Sequence, residues 1–155
     1  MITIRKATLN DLDAIRMLFR DTITKVASKD YTAKQVAVWS SSWDDVTKWE
    51  NKFKEQEFFV AIIASNLAGF TSLLKENYID HLYVSSDYQG RGVATELLTY
   101  IENIAINKGA TVVKSDVSIT ARPFFESKGY QVVKENTIPR DGEVLINYDV
   151  IKVLN

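Results

Sequence analysis

A chain of 155 residues with 46% hydrophobic residues is long enough to bury one substantial core, and no break in composition marks a second domain, so a single domain over residues 1–155 is expected. Nineteen basic and twenty acidic side chains leave a formal charge of −1, which excludes a global field drawing the protein to nucleic acid or anionic lipid. The absence of cysteine excludes disulfides, thiolate catalysis and cysteine-zinc sites, and a single histidine disfavours a histidine-based metal cluster.

Ile2-Thr3-Ile4-Arg5 opens a strand over about residues 2–6, without the cationic, apolar and small-residue succession of a secretory signal. No stretch reads as a membrane span, and a cytoplasmic protein is expected. Asn10 can cap a helix whose apolar positions Leu12, Ile15, Leu18, Phe19 and Ile23 recur at three- and four-residue steps. Residues 31–55 carry Thr32 and Ser42 as predicted caps of two short helices, over 33–40 and 43–53, and hold all three tryptophans, Trp39, Trp43 and Trp49. Residues 58–64, a Ser65-Asn66 turn and residues 67–74 read as an antiparallel hairpin, followed by a strand over about 78–84.

A helix over 95–108 follows, with Val93, Leu97, Leu98, Ile101, Ile104 and Ala105 as one apolar stripe and Gly109 as its stop. Then come a strand over 111–117 and a short helix over 120–128 that tolerates Pro123 in its first turn. A strand over 130–138, a turn at Pro139-Arg140-Asp141-Gly142 and a strand over 144–153 finish the chain. The order β-α-α-α-β-β-β-α-β-α-β-β predicts an α+β fold of three layers, with helices on both faces of a mixed, mostly antiparallel sheet of about seven strands.

Between the strand at 78–84 and the next helix stands Gln89-Gly90-Arg91-Gly92-Val93-Ala94. Two glycines past a strand let the backbone approach a ligand closely, and the following helix turns free amides and its positive dipole end toward an anion, so phosphate is the first ligand to consider. A P-loop needs Gly-Lys-Ser/Thr, whereas Gly92 is followed by Val93-Ala94-Thr95. A dinucleotide fold wants a small residue where Thr95 stands and places its loop after the first strand, not in mid-chain.

Leu82-Tyr83-Val84 with Asp87-Tyr88-Gln89-Gly90-Arg91-Gly92-Val93-Ala94, and the separate run Ser118 to Tyr130, together resemble the GNAT superfamily of acyl-CoA-dependent N-acyltransferases. The first matches the family's strand and its Gln/Arg-x-x-Gly-x-Gly/Ala loop; the second is similar to its Asn-x-x-Ala-x-x-x-Tyr-Glu-x-x-Gly-Phe. The resemblance covers nearly the whole chain. Residues 31–39 and 116–125 look more specifically like the YafP-type branch.

The resemblance implies acetyl-CoA as cosubstrate with no metal, and a small-molecule or peptide amine as acceptor. It assigns the pyrophosphate to the loop of Gln89, Gly90, Arg91, Gly92, Val93, Ala94 and Thr95. Main-chain contacts fall to Leu82, Tyr83 and Val84 on a strand that splays from its parallel neighbour, and pantetheine packing to Ser118, Phe124 and Phe125. Tyr31 and Trp39 fall among the helices that wall the acceptor site, and a monomer or homodimer is expected. Two positions depart from the pattern: Phe125 stands where the family often has a catalytic tyrosine, and Ser118 replaces asparagine but can still hydrogen-bond.

Transfer of an acyl group to an amine needs removal of an ammonium proton of pKa about 10.4. Asp80, two residues before Leu82, is costly in an apolar strand unless partnered or used, and His81 has a suitable intrinsic pKa near 6.5. The two face opposite sides of a regular strand and share a site only if a bulge intervenes, so the base is Asp80 or His81, with Tyr83 as a candidate phenol. The chain therefore reads as an N-acetyltransferase using direct attack in a ternary complex, or else as a coenzyme A-binding sensor or partner module that has lost its chemistry.

Overall fold

Seven strands form one sheet in the computed structural model, which describes residues 1–154. They are β1 (Thr3–Lys6), β2 (Gln56–Ile63), β3 (Asn66–Leu74), β4 (Tyr78–Val84), β5 (Val112–Ser118), β6 (Gln131–Arg140) and β7 (Glu143–Val153), in the order β1-β2-β3-β4-β5-β7-β6. Every neighbouring pair is antiparallel except β4 and β5, so the sheet is mixed and mostly antiparallel, as expected.

Helices α1 (Leu12–Lys25), α2 (Ala33–Ser40) and α3 (Val46–Glu55) pack on one face, where Ile15, Phe19, Ile23, Val36 and Trp49 meet Phe58, Val60 and Phe70. Helices α4 (Val93–Asn107) and α5 (Arg122–Ser127) cover the other, where Leu97, Leu98, Ile101 and Phe125 join clusters holding Phe59, Ala61 and Ile79. This two-sided cover explains the unbroken apolar run Phe58-Phe59-Val60-Ala61. Successive side chains point to opposite faces of a strand, and both faces are core here.

Several boundaries differ from the sequence reading, each for a local reason. Asn10 lies inside a 3₁₀ turn ahead of α1, and the turn is held by the Asp11 carboxylate accepting from the Thr8 amide at 2.7 Å. Thr32 caps α2 as expected, in a reciprocal box with Gln35. Ser42 does not cap α3: residues 41–44 form another 3₁₀ turn, and Asp45 takes the cap by accepting from the Lys48 amide at 3.1 Å. Helix α4 starts two residues early, at Val93, because Gly92 caps it, and α5 is shorter than expected.

The β2–β3 turn is Ala64-Ser65, one residue earlier than predicted, with positive φ at both positions. The last hairpin turns at Asp141-Gly142, again with positive φ at both, the geometry that matches strand twist. Pro139 and Arg140 therefore belong to β6, where the missing amide is tolerated because β6 is an edge strand. Among the described residues no helix is long and apolar enough to cross a membrane.

Candidate active site

Strands β4 and β5 pair only at Tyr78↔Lys114 and Ile79↔Ser115. Ser115 Oγ donates to the Ile79 carbonyl at 2.7 Å where the pairing ends, and beyond it the strands part. Two cavities open in the gap. One, of about 430 Å³, runs from β4 to the glycine loop and α5; the other, of about 360 Å³, lies on the side of α2 and α3. They share Trp39, Leu82, Tyr83, Ser118, Ala121 and Phe125, which mark the junction.

The first cavity ends at the glycine loop. Gly90 and Gly92 have φ of 72° and 81°, and a Cβ built on either would meet no atom within 4 Å, so their faces are open to a ligand. The amides of Val93, Ala94 and Thr95 stand in the first turn of α4, where no helical carbonyl reaches them. Gln89 points the other way: its Nε2 donates to the Val84 carbonyl at 2.8 Å and stitches the loop to β4. Thr22 Oγ1 donates to that same carbonyl at 3.1 Å, so Val84 offers no free acceptor there. The Arg91 guanidinium lies 5.3 Å from the Tyr88 ring, outside the cavity lining.

Ser118, Phe124 and Phe125 form the opposite wall. Ser118 Oγ accepts from the Ala121 amide at 3.0 Å and keeps its own proton to donate. Phe125 is buried, with no hydroxyl to offer.

The second cavity carries the charged groups. Pairing of β3 with β4 shifts register between Ser72↔His81 and Leu73↔Ile79, leaving Asp80 as an extra residue. The bulge brings Asp80 to the face of His81 and Tyr83, whereas regular alternation places it with Leu82. Asp80 Oδ2 accepts from Gln56 Nε2 at 2.8 Å, and lies 3.6 Å from Lys52 Nζ and 3.5 Å from His81 Nδ1. His81 is 4% exposed, ringed by Trp49, Phe58 and Phe70, with Ser72 Oγ 2.8 Å from Nδ1 and Lys52 Nζ 3.2 Å from Nε2.

Burial pushes the His81 imidazole down to about 3, so the ring is neutral near pH 7. Burial pushes the Asp80 carboxyl up, but the charges of His81 and Lys52 and the Gln56 hydrogen bond outweigh it and hold the group below the usual carboxylate range. His81 bears its charge only in acid, in the range where Asp80 itself titrates. Burial raises the Tyr83 phenol, which stays protonated. Further along the cavity, burial and the facing Asp149 push Asp116 up to about 6.

Tyr31 and Trp39 both line the second cavity, their rings 5.2 Å apart. The Tyr31 hydroxyl donates to the Ile146 carbonyl at 2.6 Å and accepts from the Ile119 amide at 2.9 Å, tying the segment just before α2 to β7 and to the end of β5. Tyr31→Phe leaves both backbone groups without that partner and is expected to cost about 1–3 kcal/mol. Denaturant unfolding measures it, and a loss under about 0.5 kcal/mol would mean that water replaces the hydroxyl. Trp43 is half-buried, packed against the core with Arg20 over its ring, and Trp49 lies in the core. Lys52, Gln56, Ser72 and Asp116 did not emerge from the sequence. The one available signal was Lys52 three residues after Trp49, on the same helical face.

An α+β fold whose one parallel strand pair parts above a glycine-capped helix is the architecture of an acyltransferase. The chain belongs to the acetyltransferase (GNAT) family, whose domain model matches residues 27–152. It is 34% identical over 147 residues to the uncharacterized N-acetyltransferase YafP of Escherichia coli K12, covering 95% of this chain and 93% of that one. The crystal structure of a GCN5-related N-acetyltransferase from Rhodopseudomonas palustris superposes with a TM-score of 0.94 at 32% identity, covering 98% of this chain and 95% of that one. The PaiA N-acetyltransferase of Thermoplasma acidophilum, solved in complex with coenzyme A, shares the fold at a TM-score of 0.78 and 19% identity, with 99% of each chain covered.

Proposed function

We propose that the protein moves an acetyl group from acetyl-CoA to a primary amine by direct attack within a ternary complex. The observation that carries this reading is the pair of cavities meeting at Leu82, Tyr83, Ser118 and Phe125: one ends in free helix amides, the other in a carboxylate. Amides of Val93, Ala94 and Thr95 hold the pyrophosphate, and the open faces of Gly90 and Gly92 admit it. That the Thermoplasma protein of the same fold was solved in complex with coenzyme A supports coenzyme A as the ligand. Bound acetyl-CoA supplies an acyl thioester, with its reacting end at the junction.

Asp80 faces the acceptor as a charged carboxylate, orients the ammonium and orders the water that carries its proton away. His81 does not compete for that role, because burial leaves it a very weak base. As the amine nitrogen bonds to the carbonyl carbon, the carbon–sulfur bond breaks and the electron pair leaves on sulfur. Tyr83 lines the junction with its phenol protonated, which supports it as the donor to that sulfur, a part Phe125 has no hydroxyl to play. With no cysteine in the chain, no thiol relay intervenes.

Thiol release from acetyl-CoA across polyamines, aminoglycosides, amino acids and peptide N-termini tests the reading. Binding of acetyl-CoA without turnover on any amine would instead support the sensor or partner module, which the buried Phe125 favours. Gly92→Val is expected to weaken acetyl-CoA binding at least about tenfold in calorimetry. A φ of 81° costs a branched residue about 1–2 kcal/mol, and the new side chain fills the open face. Wild-type affinity in that variant would remove the loop from the binding site.

A further inference from the structure

Lys52 enters the acceptor cavity from α3 and stands between the two polar groups of β4. An ammonium has three donors and no acceptor, so the nitrogen it meets at 3.2 Å, Nε2 of His81, must present a lone pair. A neutral ring then carries its proton on Nδ1, where Ser72 Oγ receives it at 2.8 Å. The other tautomer would set N–H against ammonium. The same Nζ lies 3.6 Å from Asp80 Oδ2, and Gln56 Nε2 approaches that oxygen at 2.8 Å.

We infer that Lys52 is the positioning residue of the acceptor side: it fixes the Nδ1–H tautomer of His81 and holds Asp80 ionised toward the cavity. The inference rests on the assignment of Asp80 to the acceptor amine. It does not require the acceptor to be known.

The charged and titratable groups around Asp80 show why one residue has this leverage. Lys48 and Lys52 approach from α3, Tyr78, His81 and Tyr83 from β4, Asp116 from β5 and Arg140 from β6. His81 is neutral near pH 7, and Asp116 opposes ionisation of a nearby carboxylate. Lys52 is the cation in direct contact. Burial lowers the Lys52 amine and Asp80 opposes that, so each keeps the other charged.

The chain has one histidine, so a ¹⁵N-labelled sample gives one imidazole spin system, and its long-range proton correlations report the tautomer directly. Wild type is expected to show neutral Nδ1–H from pH 5 to 8. Lys52→Met should release the ring to the Nε2–H form or a mixture, and the Asp80 carboxyl carbon should titrate at higher pH. Lys52→Arg, which keeps charge and donors, should retain both wild-type signatures. Acetyl-CoA affinity should stay within about twofold of wild type in both variants, because Lys52 does not line the coenzyme cavity.

With a primary amine that turns over, Lys52→Met should lose about tenfold in kcat on the acid side and less at the alkaline plateau, since a carboxylate that works ionised is protonated sooner. An Nε2–H ring in wild type, or a Lys52→Met protein whose tautomer and Asp80 titration match wild type, would overturn the inference. If no amine is ever acetylated, the functional assignment falls, while the two spectroscopic readouts still decide whether Lys52 sets the local proton arrangement.

Discussion

Asp80→Asn is expected to lower kcat about 10²- to 10⁴-fold, the range over which a positioned proton-handling group acts, while acetyl-CoA affinity stays within about twofold. The substitution is nearly isosteric, and the amide oxygen can still accept from Gln56 Nε2, so the bulge has no reason to reorganise. What disappears is the charge that meets the acceptor's ammonium. Asp80 lines the acceptor cavity and not the coenzyme cavity, which is why binding and turnover should separate. His81→Gln should behave differently, because a buried ring held by Ser72 and Lys52 contributes to packing, and its main loss should be stability.

The Asp80 carboxyl is held below its ordinary range, so its stabilising contribution is fully present above the unfolded value of about 3.9 and fades as pH falls through the lower folded value. The stability difference between wild type and Asp80→Asn should therefore be constant near neutrality and shrink in acid. Retention of wild-type kcat and of the wild-type pH profile by Asp80→Asn would remove the carboxylate from the mechanism.

The loop proposed to hold the coenzyme was legible in the sequence because its geometry is local. A strand, two glycines with positive φ and a helix start lie within about a dozen residues, and backbone amides need no distant partner. On the proposed acceptor side Tyr31, Trp39, Asp80, His81 and Tyr83 stood out as candidates, but the partners of Asp80 and His81 did not, because they come from elements far apart in the chain. Asp80 changes face through a bulge whose register shift falls opposite Ser72 and Leu73, and no residue type in β4 announces it. Lys52 and Gln56 arrive from α3 and the start of β2, in a segment whose visible pattern is simply amphipathic. The element order and the sheet class followed from periodicity, whereas boundaries moved wherever a 3₁₀ turn came first, as at residues 9–11 and 41–44. Pro139 suggested a turn and proved to be an edge-strand residue, a distinction that depends on strand order and not on local sequence.

Trp49→Ala is expected to destabilise the protein by about 3–5 kcal/mol, a large part of the 5–15 kcal/mol typical of a domain. Trp49 is 1% exposed, and its ring meets Phe19 at 5.0 Å and Phe70 at 6.4 Å, both edge-on. Its Nε1 also donates to the Ser42 carbonyl at 3.0 Å, anchoring the 3₁₀ turn to α3, so truncation removes packing and a tether together. Denaturant unfolding should show a lower midpoint with an unchanged slope, and the melting temperature should drop by about 10 °C or more. Trp43→Ala is the comparison: that ring is half-buried against the core with Arg20 4.3 Å above it, and its truncation is expected to cost less than that of the fully buried Trp49. A Trp49→Ala loss under about 1 kcal/mol would mean that α3 collapses into the space. Because the same indole lies 5.3 Å from the His81 ring and under Lys52, the folded fraction of Trp49→Ala should also transfer acetyl groups more slowly, although Trp49 lines neither cavity. Normal turnover per folded molecule would show that β4 alone fixes the acceptor groups, and that α3 supplies stability without positioning them.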